Sequence, residues 1–201
     1  MSARRGIRFP GWPPVRPACW LALLLLLGSC DLFSAREPEP PAQEGGTFLQ
    51  PDTPEQVIEN IQSAIEEMNA PNYGRSLAAD LKFTPTPAAL GQDPSTWVSW
   101  SKSEEERYFS TAAAAAQLST GHRLVLTDPN VSVISDDRFQ YDATYSLTIN
   151  HNRPEVPTAA QGRLIWIITQ TDDGLWSLSE WTDRELGGAV SWSDLKAAFS
   201  R

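Results

Sequence analysis

Hydrophobic and polar residues alternate without exception along one stretch in the second half of the chain. Every odd position from 139 to 149 is apolar, and every even position from 140 to 150 is polar. A period of two residues over this length predicts a β-strand with one buried face. Residues 122–134, 164–169 and 175–182 are predicted to form three further strands, with hairpin turns at Ser135-Asp136-Asp137 and Asp173-Gly174.

The first half of the folded region has a helical period instead. Thr53 is predicted to cap a helix, because Pro54 follows at the first helical position and Gln56 stands three residues beyond the cap. The apolar residues then recur on one helix face: Val57, Ile58, Ile61, Ala64, Ile65 and Met68. We expect this helix to end at Asn69-Ala70-Pro71, where a proline interrupts the pattern.

Two further helices are expected before the strands. Tyr73, Leu77 and Leu81 predict a shorter helix that ends near Asp80, followed by a short strand at 81–84. Residues 85–100 hold three prolines and a glycine and are predicted to form a loop. A third helix follows Ser101 and ends at 120–121, with glutamates in its first turn, where the helix dipole favours negative charge. A small amphipathic helix at 191–199 closes the chain.

The amino terminus has the layout of an export signal. The first seventeen positions hold four arginines and no acidic residue, and an apolar run follows from 18 to 27. This run is half of the roughly 20 residues that a membrane-spanning helix needs, so it does not predict a permanent span. The next residues, Leu27-Gly28-Ser29-Cys30, resemble the lipobox of bacterial lipoproteins.

The lipobox resemblance implies that residues 1–29 are a signal peptide and that Cys30 becomes the lipidated first residue of the mature protein. One acyl chain, such as palmitate, holds a protein only marginally, whereas two or more hold it stably on a membrane. The alternative is a secreted protein with an unrelated cysteine at the cleavage point. Residues 30–50, which are rich in proline and acidic residues, are predicted to be a disordered tether. Residues 51–201 are predicted to form one domain.

Removal of the leader makes the protein more acidic. The remaining 12 basic and 25 acidic residues give a net charge of −13, compared with −9 for the whole chain. Such a surface repels phosphate groups, so nucleic acid is not expected as a partner. Cys19 lies in the leader and Cys30 is committed to lipid, so we expect no disulfide, cysteine-bound metal or thiol nucleophile in the folded part. We also expect no cofactor.

The order of three N-terminal helices followed by an antiparallel meander predicts an α+β fold. It resembles the cone-shaped nuclear transport factor 2-like (cystatin-like) fold, in which a curved antiparallel sheet wraps the long first helix. The segments TPEQVIENIQSAIEEMNAPNYGRSLAADLKF and DGLWSLSEWTDRE carry this resemblance, which covers residues 51 to about 199. The fold hosts isomerases, dehydratases, cyclases and proteins that catalyse nothing, so it does not define an activity.

In enzymes of this fold, the resemblance implies an acid–base group inside the cone, either Asp with Tyr or His with Asp. His122 and His151 are both expected at exposed strand ends, which does not favour catalysis. Glu180 is the strongest candidate, because alternation along the last strand would turn it inward, where a buried glutamate is a suitable general base. The alternative is a rim glutamate paired with an arginine such as Arg163.

Several aromatic residues are candidates for ligand contact. Tyr141, Tyr145 and Trp166 would line a pocket in the cone, or else form the core between the sheet and the first helix. Trp97 and Trp100, in the predicted loop, either cap the core or present a flat platform for a ligand.

These observations favour a non-catalytic envelope lipoprotein, held outside the cytoplasm on the inner or outer membrane. Its domain would bind a small apolar ligand or another envelope protein. The alternative function is a cone-pocket enzyme of the isomerase, dehydratase or hydrolase kind, with Glu180 or a buried tyrosine as its acid–base group. A homodimer through the sheet face is a third interpretation.

Overall fold

The computed structural model describes residues 45–116 and 119–201. The predicted leader, Cys30 and the tether up to residue 44 lie outside these residues. In chain order the elements are α1 (Pro54–Glu66), α2 (Ala70–Arg75), β1 (Leu77–Thr84), α3 (Pro87–Gln92), α4 (Pro94–Trp97), α5 (Lys102–Ala116), β2 (Arg123–Ser135), β3 (Arg138–Thr148), β4 (Ala159–Gln170), β5 (Trp176–Glu185) and α6 (Trp192–Phe199).

The strands form one sheet with the order β1-β5-β4-β3-β2. Strands β2 to β5 pair antiparallel in succession, as predicted from the alternating pattern and the turn residues. The turn before β5 contains Gly174, whose φ of 84° is accessible to glycine at no steric cost. β1 comes from the helical half of the chain and pairs in parallel with β5. The two halves of the domain are therefore joined within one sheet.

The helix predicted from the apolar period is α1. Its start has the expected cap, in which the backbone N–H of Thr53 donates to the side-chain oxygen of Gln56 at 3.0 Å. The apolar face of α1 is buried and contacts β2, β4 and β5. Burial of each large aliphatic side chain on this face contributes about 1.5–3 kcal/mol to stability, so this contact is the centre of the core.

Two predictions for the segment between α1 and α5 were wrong. α2 ends at Arg75, and Leu77, which was expected in this helix, starts β1, so the strand predicted at 81–84 begins four residues earlier. A spacing of four residues puts two side chains on one face of either a helix or a strand, and pairing with β5 decides between them. Part of the predicted loop contains α3 and α4, because Pro87 and Pro94 occupy first helical positions instead of interrupting the chain.

The last two helices begin where the sequence predicts them. α5 is described as far as Ala116, and the predicted end at 120–121 lies beyond two residues that are not described. α6 starts after Ser191, whose hydroxyl accepts the backbone N–H of Asp194 at 3.2 Å. In the described ranges, no helix combines the length and the apolar composition that crossing a bilayer requires.

The chain contacts the domain a few residues before the boundary predicted at residue 51. Asn60, which is buried in α1, accepts the backbone N–H of Leu49 at 2.7 Å and donates to its carbonyl at 2.8 Å. The backbone N–H of Thr47 donates to the carboxylate of Glu67 at 2.9 Å. These bonds fasten the end of the predicted tether to α1, so contacts with the folded domain begin at residue 47.

Candidate functional site

A β-bulge in β5 decides which of its side chains face the interior. Ile167 of β4 pairs with Glu180, while the next residue, Ile168, pairs with Leu178. Ser179 is therefore an extra residue in β5, and its hydroxyl donates to the carbonyl of Ile167 at 3.0 Å. One extra residue reverses the alternation of side chains along the strand. The alternation of inward and outward side chains expected from the sequence of β5 consequently holds only as far as Leu178.

Glu180 lies on the outer face of the sheet as a result of this bulge. Its half-exposed carboxylate pairs with Arg138 at 2.8 Å. Arg163, the partner suggested by the sequence, instead pairs with Asp142 at 2.6 Å on the same outer face. Exposed pairs of this kind contribute at most about 1 kcal/mol. Glu180 is thus a rim residue with an arginine partner, and it is outside the cone.

The three residues predicted as pocket lining all lie on the inner face of the sheet. Tyr145 and Trp166 are buried in the hydrophobic core, and the half-buried Tyr141 packs against it. The Trp166 ring lies 6.3 Å from the ring of Tyr141 and 5.5 Å from that of Trp181, measured between centroids. The second distance belongs to an edge-on contact, which aromatic rings prefer. These side chains fill the interior between the sheet and the helices.

A lysine and a glutamate form an ion pair inside this core. The Nζ atom of Lys196 lies 2.7 Å from Oε2 of Glu105, and both side chains are 0% exposed. Glu105 also accepts hydrogen bonds from the hydroxyl of Tyr73 and the indole N–H of Trp100, each at 2.7 Å. Three donors therefore surround one carboxylate and offset part of its desolvation.

Burial shifts the pKa values of groups around this pair. It lowers the pKa of Lys196 to about 8, although the attraction to Glu105 acts in the opposite direction. Burial and the neighbouring Glu105 carboxylate raise the pKa of Tyr73 well above its ordinary value. The pKa of Tyr108 is raised for the same reasons. At neutral pH both tyrosines are therefore protonated; the Tyr73 hydroxyl donates to Glu105, and the Tyr108 hydroxyl accepts the indole N–H of Trp192 at 3.0 Å.

A second buried carboxylate, that of Asp183, holds α6 against the sheet. It accepts the backbone N–H and the hydroxyl of Ser193 at 2.7 and 2.6 Å, and the hydroxyl of Tyr145 at 2.8 Å. The Tyr145 hydroxyl in turn accepts the backbone N–H of Trp192 at 2.7 Å. Burial raises the pKa of Asp183, and these hydrogen bonds oppose the shift. The carboxylate also lies at the positive end of the α6 dipole.

None of the three buried charges was predicted from the sequence, although the sequence pattern indicates two of them. Glu105 lies on the apolar stripe of α5 and not only in its acidic first turn. Lys196 stands four residues after Trp192 and three before Phe199, and therefore on the apolar stripe of α6. A charged residue at an apolar position of a helix indicates a buried partner. Asp183 had no such signal, because the bulge reverses the pattern before it.

Trp97 and Trp100 cap the core rather than present a platform. Both are buried, with ring centroids 4.8 Å apart, and both rings contact Phe83. The indole N–H of Trp97 donates to the carbonyl of Ala89 at 3.2 Å, which ties α4 to α3.

The two histidines join loops to strand ends. His122, which was expected to be exposed, is only 5% exposed. Its ring contacts the carbonyl of Ser119 at 3.1 Å and accepts the backbone N–H of Asn150 at 3.2 Å. His151 is half-buried, and its Nε2 atom lies 3.1 Å from the carbonyl of Pro157. Both rings are engaged with the backbone and hold local structure.

A groove of about 540 Å³ opens at the surface between the N-terminal segment and the start of β5. Its lining includes the rings of Phe48 and Trp176, the guanidinium group of Arg75 and the side chain of Ser177. The guanidinium carbon of Arg75 lies 3.7 Å from the centroid of the Phe48 ring. The Ser177 hydroxyl is buried and has no hydrogen-bond partner among the residues that the structure describes. The residues that line the groove thus supply two aromatic side chains and one cation.

Comparison with known proteins finds similarity in structure only. No protein-family model and no curated protein matches the sequence. A proposed aromatic ring hydroxylase from Novosphingobium aromaticivorans aligns with a TM-score of 0.51 at 14% identity, over 71% of this chain and 92% of that chain. A proposed scytalone dehydratase from the same species aligns with a TM-score of 0.52 at 9% identity, over 68% of this chain and 88% of that chain.

A nuclear transport factor 2-like protein of unknown function from Shewanella oneidensis aligns with a TM-score of 0.44 at 9% identity, over 65% of this chain and 94% of that chain. The described domain has an α+β fold with a curved, mostly antiparallel sheet, and it shares this fold with the two proteins from Novosphingobium aromaticivorans. At these identities the likeness extends to the fold alone.

Proposed function

We propose that the protein is an exported lipoprotein, anchored through acyl chains on Cys30, whose domain binds a ligand without catalysing a reaction. The anchor is supported by the basic, apolar and small segments of the leader and by the Leu27-Gly28-Ser29-Cys30 sequence. We place the ligand at the surface because of one observation: the aromatic residues expected to line the cone are packed into the hydrophobic core.

The filled interior occupies the place where enzymes of this fold hold an acid–base group. The Nζ atom of Lys196 lies 3.4 Å from the ring centroid of Trp181 and 3.5 Å from that of Phe83. Glu105 and Asp183 each accept three hydrogen bonds from the protein itself. These charged groups hold α5, α6 and β5 together, and their hydrogen bonds serve to join these three elements.

The surface groove beside Arg75 is the proposed binding site. Its volume of about 540 Å³ falls within the ~300–1,000 Å³ of small-molecule sites. The rings of Phe48 and Trp176 offer flat apolar contact, and the guanidinium of Arg75 offers paired donors for a carboxylate. The proposed ligand is accordingly a small, flat molecule that carries an anionic group.

A pair of matched probes tests this site. Benzoate and benzamide have nearly the same shape, but only benzoate carries a negative charge. Saturation-transfer NMR should detect benzoate binding to the protein, with weaker or no benzamide binding. Arg75→Gln should remove the preference for benzoate. Arg107→Gln, at an exposed position of α5, is the control and should leave it unchanged. Equal binding of both probes, or a preference that survives Arg75→Gln, would contradict the proposal.

The two cysteines provide a matched test of the anchor. Cys30→Ala should abolish incorporation of labelled palmitate and release the protein from the membrane fraction. Cys19→Ala, in the predicted leader, should change neither result. Mass spectrometry of the native protein should find an acylated Cys30 as its first residue. An unmodified amino terminus, or a Cys30→Ala protein that still sediments with membranes, would refute the anchor.

The second candidate function is a cone-pocket enzyme, and two observations favour it. Asp183 and Tyr145 form a buried carboxylate–tyrosine contact of 2.8 Å. The indole N–H groups of Trp166 and Trp181 are buried without an acceptor among the described residues, and unpaired buried donors are unusual. A buried tyrosine therefore remains a candidate acid–base group in this alternative.

Access of a solute to the interior distinguishes the two functions. A neutral nitroxide added to the solution should broaden the NMR signals of Val133, which is 75% exposed on β2. If the interior is closed, the indole signals of Trp166 and Trp181 should stay sharp under the same conditions. Broadening of the indole signals would favour the enzyme over the surface-binding protein.

A homodimer through the sheet face stays a proposal of its own. The outer face of the sheet carries the Arg138–Glu180 and Arg163–Asp142 pairs, whose opposite charges could pair between two copies. Sedimentation at increasing protein concentration tests it, and a constant monomer mass would exclude it.

A further inference from the structure

The ammonium group of Lys196 has the surroundings of a bound ligand. It lies 3.4 Å from the Trp181 ring centroid and 3.5 Å from that of Phe83, with the Trp100 ring at 5.9 Å. The rings of Tyr108 and Trp192 lie at 5.9 and 6.0 Å. The Glu105 carboxylate supplies the counter-charge at 2.7 Å.

This combination is the one by which proteins recognise free ammonium compounds. The face of an aromatic ring attracts a cation within about 6 Å of its centroid, and the attraction grows when the cation is desolvated. A carboxylate adds a charge-assisted hydrogen bond, which selects an ammonium that has an N–H over a quaternary one. A purely structural lysine would need only the carboxylate, whereas here the rings of Phe83 and Trp181 are packed directly against the cation.

We propose that the interior of this domain is a binding site for a primary alkylammonium group, which the folded chain occupies with its own Lys196. The inference goes beyond the surface binding proposed above and does not depend on it. Lys196 belongs to α6, the last helix. The Glu105 carboxylate belongs to α5, and the two nearest rings, those of Phe83 and Trp181, belong to β1 and β5. An alkylammonium compound is therefore the class of ligand that this site accepts once the Lys196 side chain is absent.

The position of α6 is set by contacts that are separate from the ammonium site. The helix is fastened at its start by Asp183, and the segment before it contains Gly187 and Gly188 with φ values of 61° and 76°. Substitution of Lys196 therefore removes the occupant and leaves the contact that places the helix.

Chemical rescue of Lys196→Ala tests the proposal. The substitution deletes Cγ, Cδ, Cε and Nζ, and n-propylammonium has the same four heavy atoms. At about ten times its Kd, n-propylammonium should raise the Tm of the variant by roughly 3–6 °C. The uncharged 1-propanol and the quaternary tetramethylammonium ion should have a smaller effect. The unsubstituted protein, whose site is occupied, should not respond.

A second variant separates charge recognition from simple filling of a cavity. In the Lys196→Ala/Glu105→Gln protein the carboxylate is absent, so n-propylammonium and 1-propanol should act alike. If Lys196→Ala alone does not fold, the same compounds are compared during refolding, with near-UV circular dichroism as the readout. Recovery with n-propylammonium and not with 1-propanol supports the site.

Two results would overturn the inference. One is equal stabilisation of Lys196→Ala by n-propylammonium and 1-propanol, since that describes an apolar cavity. The other is no stabilisation or recovery of Lys196→Ala by any of the compounds, since that describes a lysine with no ligand-like site around it.

Discussion

Replacement of Glu105 by Gln leaves the buried ammonium of Lys196 without its counter-ion. Removal of one partner of a buried ion pair typically lowers stability by about 3–5 kcal/mol. The glutamine also offers one acceptor oxygen to Tyr73 and Trp100, which both donate to the carboxylate in the native protein. Its amide N–H groups face donors, which adds to the loss. We therefore expect a decrease at the upper end of this range at pH 7.

Deprotonation of Lys196 limits how large this decrease can be. At pH 7, removal of the proton from a lysine with the ordinary pKa of 10.5 costs about 5 kcal/mol. In the native protein, burial lowers the pKa of Lys196 to about 8 while Glu105 opposes the shift. In Glu105→Gln the opposing attraction is gone, so the pKa falls below 8. The variant then loses the proton of Lys196 at a lower pH than the native protein does, which limits the cost of the uncompensated charge.

The sign of the pH dependence follows from the numbers of bound protons. Between the pKa of the folded state and 10.5, the unfolded chain binds more protons at Lys196, so stability rises with pH. For Glu105→Gln this rise begins below pH 8, whereas for the native protein it begins at about pH 8. The difference in stability should therefore shrink as the pH rises to about 8 and stay level above it. Titrating groups other than Lys196 and Glu105 are common to both proteins and cancel in the difference.

The assay is urea unfolding followed by circular dichroism at pH 6, 7, 8 and 9, completed as a double-mutant cycle. Lys196→Met should also destabilise, because it leaves the Glu105 carboxylate buried without its cation. The double substitution removes both charges, so it leaves no uncompensated buried charge and should cost much less than the sum of the two single substitutions. The two single losses should therefore be far from additive. Additive losses, or a Glu105→Gln loss that is independent of pH, would refute the buried pair.

Two further predictions concern the attachment of α6 and the packing of the sheet. Asp183→Asn removes a charged acceptor from Ser193 and should lower stability by about 2–3 kcal/mol. Hydrogen exchange of the α6 amides should become faster, and an unchanged exchange rate would contradict the role of this carboxylate. Gly162→Ala places a Cβ 2.5 Å from the Tyr145 hydroxyl and should destabilise by about 1–3 kcal/mol, as measured by thermal unfolding. Gly91→Ala, with open space around its Cβ, is the control and should not destabilise.

The elements predicted from the sequence are those in which a local pattern repeats for several turns or strand residues. α1 has its cap and apolar face in the expected places, and the strands β2 to β5 follow in the expected order. α6 begins after Ser191, as predicted. In each case the side chains of one face are buried as a set, so their period in the sequence is the period of the structure.

The candidate site was only partly predictable. Tyr145 and Trp166 were expected to face inward and do so, because β3 and β4 pair without interruption and the extra residue lies in β5. Glu180 was expected inside the cone, but a single extra residue in β5 turns it outward. The bulge is held by a bond between a hydroxyl and a carbonyl of the next strand. The sequence of β5 contains no pattern that predicts this hydrogen bond.

By itself, the amino-acid sequence determined the α+β order, the register of the first helix, the turns and the absence of cysteine from residues 31–201, because these depend on residues close together in the chain. It also supports the prediction of a lipid anchor at Cys30. Only the tertiary structure decided that β1 begins at Leu77, that Asp183 faces inward and that Lys196 meets Glu105. These results depend on contacts between distant segments, and the free energy of burying a charge is set by the partner that those contacts supply.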